Sequence, residues 1–374
     1  MKRILFVLAL TLCLSCTNDS YSDLISVETT LPLKWNKSYN DDSIDKAKIG
    51  LEWTLSYLGA TLPHENSGIS IEGNIIIIDI MKLGFEGFAE QKLLQLLEVL
   101  KNSSEYQQTN TIDLGRFVSL LLGASEHYYQ IVGTPETLDE LLQPYQLLPD
   151  RGYIDNSIIS NQHRIIEFSE LDNLKQVFVS KEIDPNTGTI LEYETIELIA
   201  NGQIRFGIFD ANGFRKSSAS PNHTAAGKPA KCMWCHESSI NPMFTPQNDF
   251  EGFLGYDELQ NVLLTYKSEH LQNREILTPN GVNFNETQQH TLTELLYISF
   301  MEPSAERLSR EWNLPLSEVE NLLSGLDTHI YDEFPFLGDL YHRAEAENLA
   351  PFSGIPVSGN VREPSTMEVN YLDF

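Results

Sequence analysis

Residues 177–209 of the 374-residue chain read VFVSKEI, DPNTGT, ILEYETIEL, IANGQ and IRFGIF in turn. The first, third and last pieces are rich in Val, Ile, Tyr and Phe, which fit a pleated, half-buried surface. Asp184-Pro185-Asn186-Thr187-Gly188 and Asn201-Gly202 stand between them as turns, because Gly and Asn accept the positive φ that tight reversals require. In the last piece Ile204, Phe206 and Ile208 alternate with Arg205 and Gly207, so the apolar side chains share one face. The pattern predicts an antiparallel meander, placed within residues 151–215.

Outward from the meander the spacing turns helical. Upstream, residues 31–150 read as a mainly helical region, with apolar residues at helical spacing over 42–58, 85–100, 113–129 and 138–145. Residues 69–71 and 75–80 flank Glu72-Gly73-Asn74 as one early hairpin, and the four isoleucines at 75–78 predict a strand buried on both faces. Downstream, 216–231 is a loop rich in Ser, Pro, Gly and Ala. Helices are expected over 257–270, 286–301, 305–312 and 317–326, the last opened by a Ser317/Glu320 capping box. The segment 351–374 reads as a C-terminal tail. The fold class expected is α+β: a helical N-terminal part, an antiparallel β-meander and a helical C-terminal part over 216–350.

Asp and Glu number 53 against 25 Lys and Arg, a formal charge of −28. That balance repels nucleic acid and anionic lipid surfaces and suits a basic partner. The helix pair at 305–312 and 317–326, spaced like a helix-turn-helix, therefore reads as a simple helical hairpin. No Walker loop, G-x-G-x-x-G, G-x-S-x-G or H-E-x-x-H string occurs.

Lys2 and Arg3 precede an uncharged run of 11 residues, 4–14. This is the length of a signal-peptide core and too short to span a bilayer. The run ends in Cys13-Leu14-Ser15-Cys16, which resembles the lipobox of bacterial lipoproteins, in which the cysteine after a small residue is acylated. The resemblance implies a signal peptide over 1–15, lipidation of Cys16, a polar and acidic tether over 16–30, and a location in the cell envelope. The anchor would hold the protein to the outer membrane or the cell surface, the membrane being touched only through lipid. The acidic residues after Cys16 look like the surface-export signal of Bacteroidota lipoproteins.

With Cys13 removed and Cys16 acylated, two of the four cysteines remain. They lie in Cys232-Met233-Trp234-Cys235-His236, which resembles the haem-attachment motif of c-type cytochromes. The resemblance implies one covalent haem c, thioether-linked through Cys232 and Cys235, with His236 as proximal iron ligand, and makes the mostly helical part over 216–350 a cytochrome c-like, haem-binding region. It departs from small cytochromes c in having Glu237 where they have Gly, and in the long region before the motif. Candidate distal ligands are Met301, 65 residues downstream in Phe300-Met301-Glu302-Pro303, and Met243 and His223; each also has an ordinary reading as core packing, gap filler or loop residue. Competing readings of the pair are a redox Cys-x-x-Cys, a zinc site completed by His223, and a two-residue disulfide loop.

The expected function is an exported, lipid-anchored haem c protein acting in one-electron transfer with a redox partner. A c-haem peroxidase-like enzyme or small-ligand binder with an open iron site is the first alternative. A haem-free binding lipoprotein with a structural disulfide is the second.

Overall fold

The computed structural model describes residues 28–63, 68–277, 281–286, 289–362 and 368–373. The signal peptide, Cys16 and nearly all of the tether lie outside the described residues.

The N-terminal part builds a four-stranded sheet from β1 (Thr30–Lys34), β2 (Ile69–Glu72), β3 (Ile75–Asp79) and β4 (Ile112–Asp113), in the order β2-β3-β1-β4. Six helices accompany it: α1 (Ile44–Tyr57), α2 (Phe88–Lys101), α3 (Ser104–Thr109), α4 (Leu114–Gly123), α5 (Ser125–Val132) and α6 (Leu138–Leu142). The expected hairpin is β2–β3; β1 and β4, which were not legible, extend it to a sheet within a region that is otherwise mainly helical. Pro32 interrupts the strand signal of β1, and β4 is only two residues long. Ile76 and Ile78 are fully buried while Ile75 and Ile77 are partly exposed, so the isoleucine run buries one face rather than two. The helix expected over 113–129 is two helices. Asp113 caps α4 by accepting from the Arg116 amide, and Ala124, with extended backbone, separates α4 from α5.

The meander is β5 (Gly152–Ile154), β6 (His163–Phe168), β7 (Val177–Ile183), β8 (Ile190–Leu198) and β9 (Ile204–Asp210), antiparallel and in sequential order. Pairing sets three rungs on one face. Phe168, Phe178, Ile196 and Phe206 form the first, and Ile166, Ser180, Glu194 and Ile208 the second. Arg164, Glu182 and Glu192 form the third. The opposite face carries Val177, Val179 and Phe209, covered by Leu138 and Leu141 of α6.

The C-terminal part comprises α7 (Cys232–His236), α8 (Tyr256–Glu275), α9 (His290–Met301), α10 (Ala305–Trp312), α11 (Leu316–Leu323) and α12 (Arg343–Ala346). The fold is α+β, as expected. The Ser317/Glu320 capping box does not form: Pro315 is the N-cap and its carbonyl accepts the Glu318 and Val319 amides, so Ser317 lies inside the first turn. One apolar core runs from Leu31 to Leu372 and joins both sheets. Its centre is α9, packed on α1 and α4. The approach is close enough to need glycine: a Cβ on Gly50 would lie 2.7 Å from the Leu292 carbonyl oxygen, and one on Gly115 2.5 Å from Phe300 Cβ. The stretch read as a tail is tied in, since Arg116 donates to the Ile355 carbonyl at 2.8 Å and Lys92 to the Leu372 carbonyl at 2.7 Å.

Beside α9 lies a buried ion network. The guanidinium groups of Arg116, Arg307 and Arg343 sit 5.0, 5.1 and 3.9 Å from the centre of the Phe300 ring, within cation–π range. Arg116 pairs with Glu105 at 2.8 Å and with Glu347 at 2.7 Å, and Arg307 with Asp113 at 2.8 Å. Glu311 joins Arg307 to Arg343, the latter through both oxygens at 2.8 and 3.0 Å. Burial alone would raise the Glu311 pKa, but Arg343 and Arg307 overcome it and hold the carboxyl at about 2. The Glu311 contribution is therefore full above pH 4.5, the ordinary glutamate value, and is lost as pH falls towards 2. Glu311→Gln should cost about 3–5 kcal/mol in urea unfolding at neutral pH, because it leaves buried arginines uncompensated. The variant should also lose less further stability than the wild type across that acid window.

Candidate functional site

Helix α7 follows the turn Pro229–Lys231 and is one turn long. In a helix, positions i, i+3 and i+4 share a face, so Cys232, Cys235 and His236 project together while Met233 and Trp234 project the other way. Met233 and Trp234 are buried in the main core. The other three line a chamber closed on its far side by the meander. The chamber encloses about 1110 Å³ of empty space, its open mouth included. Phe178, Ile196 and Phe206 from the first rung and Ile166 and Ile208 from the second make its floor. Downstream of α7 the wall is completed by Ile240, Met243, Phe244 and Leu263. The meander, not the C-terminal helices, is thus the main surface facing the motif.

His236 packs against Phe206, ring centroids 5.7 Å apart. Its Nδ1 is buried without a hydrogen-bond partner. Burial, reinforced by the Arg164 guanidinium, pushes its pKa down to about 4, so the imidazole is neutral at physiological pH, the form that ligates metals. The helix ends on two residues in the left-handed region, Glu237 at φ 53° and Ser238 at φ 66°, where an L side chain is strained. The Asn241 side chain secures this turn: its amide donates to the His236 carbonyl at 3.0 Å and its Oδ1 accepts from Lys267 at 2.6 Å.

Both cysteines are free thiols. Burial pushes the thiol pKa of each upward, so neither is the stabilised thiolate that a redox Cys-x-x-Cys requires. The one described group of three or more His, Cys, Asp or Glu whose ligand atoms all lie within 4.8 Å is Glu182, Glu192 and Glu194. The Cys232, Cys235 and His236 donors are spread too widely to form such a group. His223, the fourth zinc ligand considered, does not line the chamber; its carbonyl accepts from Asn161 and Ser160. Met301 is also outside the chamber, buried in the core at the end of α9. Met243 is the one candidate distal residue in the chamber wall.

Arg164 and Glu194, which the sequence reading missed, also line the chamber. Arg164 binds Glu182 Oε1 through Nε at 3.1 Å and Nη2 at 2.5 Å, and lies 3.2 Å from Glu194. Lys216 pairs with Glu192 at 2.6 Å. These two cations already supply positive charge to the acidic trio, but leave one carboxylate in excess. Burial pushes Glu194 up; Arg164 opposes, Glu182 and Glu192 add, and the result is about 7. A sequence signal existed: Glu192, Glu194 and Ile196 alternate with Tyr193 and Thr195, placing acids on a face that also carries core residues.

Glu194 should therefore take up a proton near pH 7, visible as a carboxyl step in ¹³C NMR that Glu194→Gln removes. Because its folded pKa is raised, wild-type stability falls as pH rises from about 4.5 to about 7. The variant should gain on the wild type over the same interval in urea unfolding.

Among the described residues no helix is long and apolar enough to cross a membrane. Searches against protein-family models, curated proteins and solved structures found nothing that matches this chain.

Proposed function

We propose that the chain is an exported, lipid-anchored c-type haem protein, with one haem held covalently by Cys232 and Cys235 and ligated by His236. The observation that carries this reading is the shared face of α7: two thiols and a neutral imidazole look together into a chamber with an apolar floor. The fit is chemical as well as spatial. His236 Nδ1 is a buried polar atom with no partner, the thiols are not poised for redox exchange, and the Cys232, Cys235 and His236 donors do not converge on a single-ion site. The cytochrome c-like character is confined to this motif, since the chamber floor is a β-sheet.

Bound haem would supply an iron that can exchange one electron or hold a small ligand. The chain's own residues favour the second role. Met301, the sulfur at the spacing of small cytochromes, lies in the core. Arg164 and Glu194 instead bring a fixed positive charge and a group that gains or loses a proton near neutrality to the chamber. A small-ligand binder or peroxidase-like enzyme is the reading best supported. One observation favours the electron carrier: Met243 stands in the chamber wall and offers a thioether there.

Protein made in a host with cytochrome c maturation should give a pyridine haemochrome spectrum and a coloured band on a denaturing gel. Cys232→Ser together with Cys235→Ser should abolish both. A colourless product overturns the haem reading. Carbon monoxide should change the spectrum of the reduced protein; failure to bind it, with a near-infrared methionine-to-iron band that Met243→Ala removes, would decide for the carrier. Cys16→Ala should release the protein from the membrane fraction, as expected if acyl chains are the anchor.

A further inference from the structure

A second, polar cavity of about 910 Å³, its open side included, adjoins the chamber. The two share Ser157, Ile159, Ala225 and Lys231 as wall residues. Lys231 and Arg362 are the charged residues lining it, with Ser160, Asn161 and Thr224 among the polar ones. Among the described residues no acidic one lines it, in a chain where Asp and Glu outnumber Lys and Arg by 53 to 25. Lys231 has no carboxylate partner among the described residues; its ammonium donates to the Ala225 carbonyl at 2.5 Å. Arg362 engages Glu294 and, at 3.2 Å, Glu333, both through Nη2. Its Nε is buried with no partner.

We propose that Lys231 and Arg362 form a carboxylate-binding subsite in this annex, taking the anionic end of a ligand whose apolar body occupies the chamber. Two cations facing one polar space, one with a free buried donor and the other lacking a counterion, are stabilised by an anion between them. The Lys231 ammonium shows the cost of leaving the space without one: burial and the nearby Arg362 push its pKa down. Glu294 and Glu333 together outweigh the Arg362 charge, so Lys231 is the cation left to an anion, which suits a single carboxylate rather than a multiply charged phosphate. The subsite stands on these residues alone and does not require the haem reading. Two sources can supply the carboxylate: a carboxylate on a haem bound in the chamber, or a free carboxylate from solution.

The test uses the mature full-length chain, its haem content first fixed by a pyridine haemochrome spectrum, and sodium acetate as probe at constant ionic strength. A free subsite gives a saturable shift of the Arg362 Nε–H resonance. Lys231→Gln should weaken acetate binding at least about tenfold, the loss of roughly one charge-assisted hydrogen bond, while Lys231→Arg retains it. If the chain carries haem and acetate has no effect, the haem's own carboxylates are the occupants. Lys231→Gln should then move the pH dependence of the haem reduction potential to higher pH by about one unit, and Lys231→Arg should restore it. Acetate binding to a haem-free chain supports the subsite although the haem reading fails. No acetate binding to a haem-free chain overturns it, as does a haem-loaded chain showing neither acetate binding nor the shifted pH dependence.

Discussion

The hydrogen-bond register of β7, β8 and β9 decides what the candidate site contains. Side chains alternate across a strand with a period of two, so a slip of one residue exchanges the two faces entirely. In the observed register Phe178, Ile196 and Phe206 meet on one rung and Ser180, Glu194 and Ile208 on the next. Slipped by one, β7 would turn Val177 and Val179 towards the chamber and Phe178 towards α6. The register is held from both sides: α6 needs the Val177, Val179 and Phe209 face, and α7 needs the Phe206 face for His236. The irregularity between Glu182 and Ile183 directly follows the charged rung, where Arg164 bridges to Glu182 and Glu194 on two strands.

What could be read from the sequence divides along the range of the interactions involved. The strands 177–183, 190–198 and 204–210 were legible because alternation and turn chemistry are local. The shared face of Cys232, Cys235 and His236 was legible too, since it follows from helical spacing once a helix is assumed. β5 and β6 were not: three residues are too few for a pattern, and His163 and Arg164 dilute the second. Arg164 and Glu194 could not be assigned to the site, because their meeting depends on which rung each strand contributes. Met301 shows the opposite error. Its distance along the chain from His236 matched a known spacing, but spacing carries no direction, and α9 turns that side chain into the core. Glu237, the residue after His236, adopts the left-handed conformation that favours Gly, which the residue type alone did not announce.

The molecule keeps two kinds of buried charge, and they behave differently. At the chamber the charges are out of balance: three carboxylates face two cations, and one proton is exchangeable near neutrality. Such a group costs stability at one end of the pH range and gives the site a chemical handle in return. Around Phe300 four carboxylates likewise outnumber three arginines, and burial pushes Glu105 up to about 7, but here every group is held in a fixed pair. Arg343 grips both oxygens of Glu311 and also donates to the Phe300 carbonyl at 2.8 Å, so the network acts as a fixed joint between α4, α9, α10 and α12.

That joint also limits how the chain can diverge. Each arginine over Phe300 answers to at least one carboxylate on another element, and Glu105, Asp113 and Glu311 are shut away from water while Glu347 is half-buried. Losing any one member alone strands its partner, so single substitutions there are selected against, whereas a change of charge together with its opposite is tolerated. Related chains that have drifted elsewhere should carry either the whole set or an apolar replacement of the whole set. In an alignment, positions 105, 113, 116, 307, 311, 343 and 347 should therefore vary as a block.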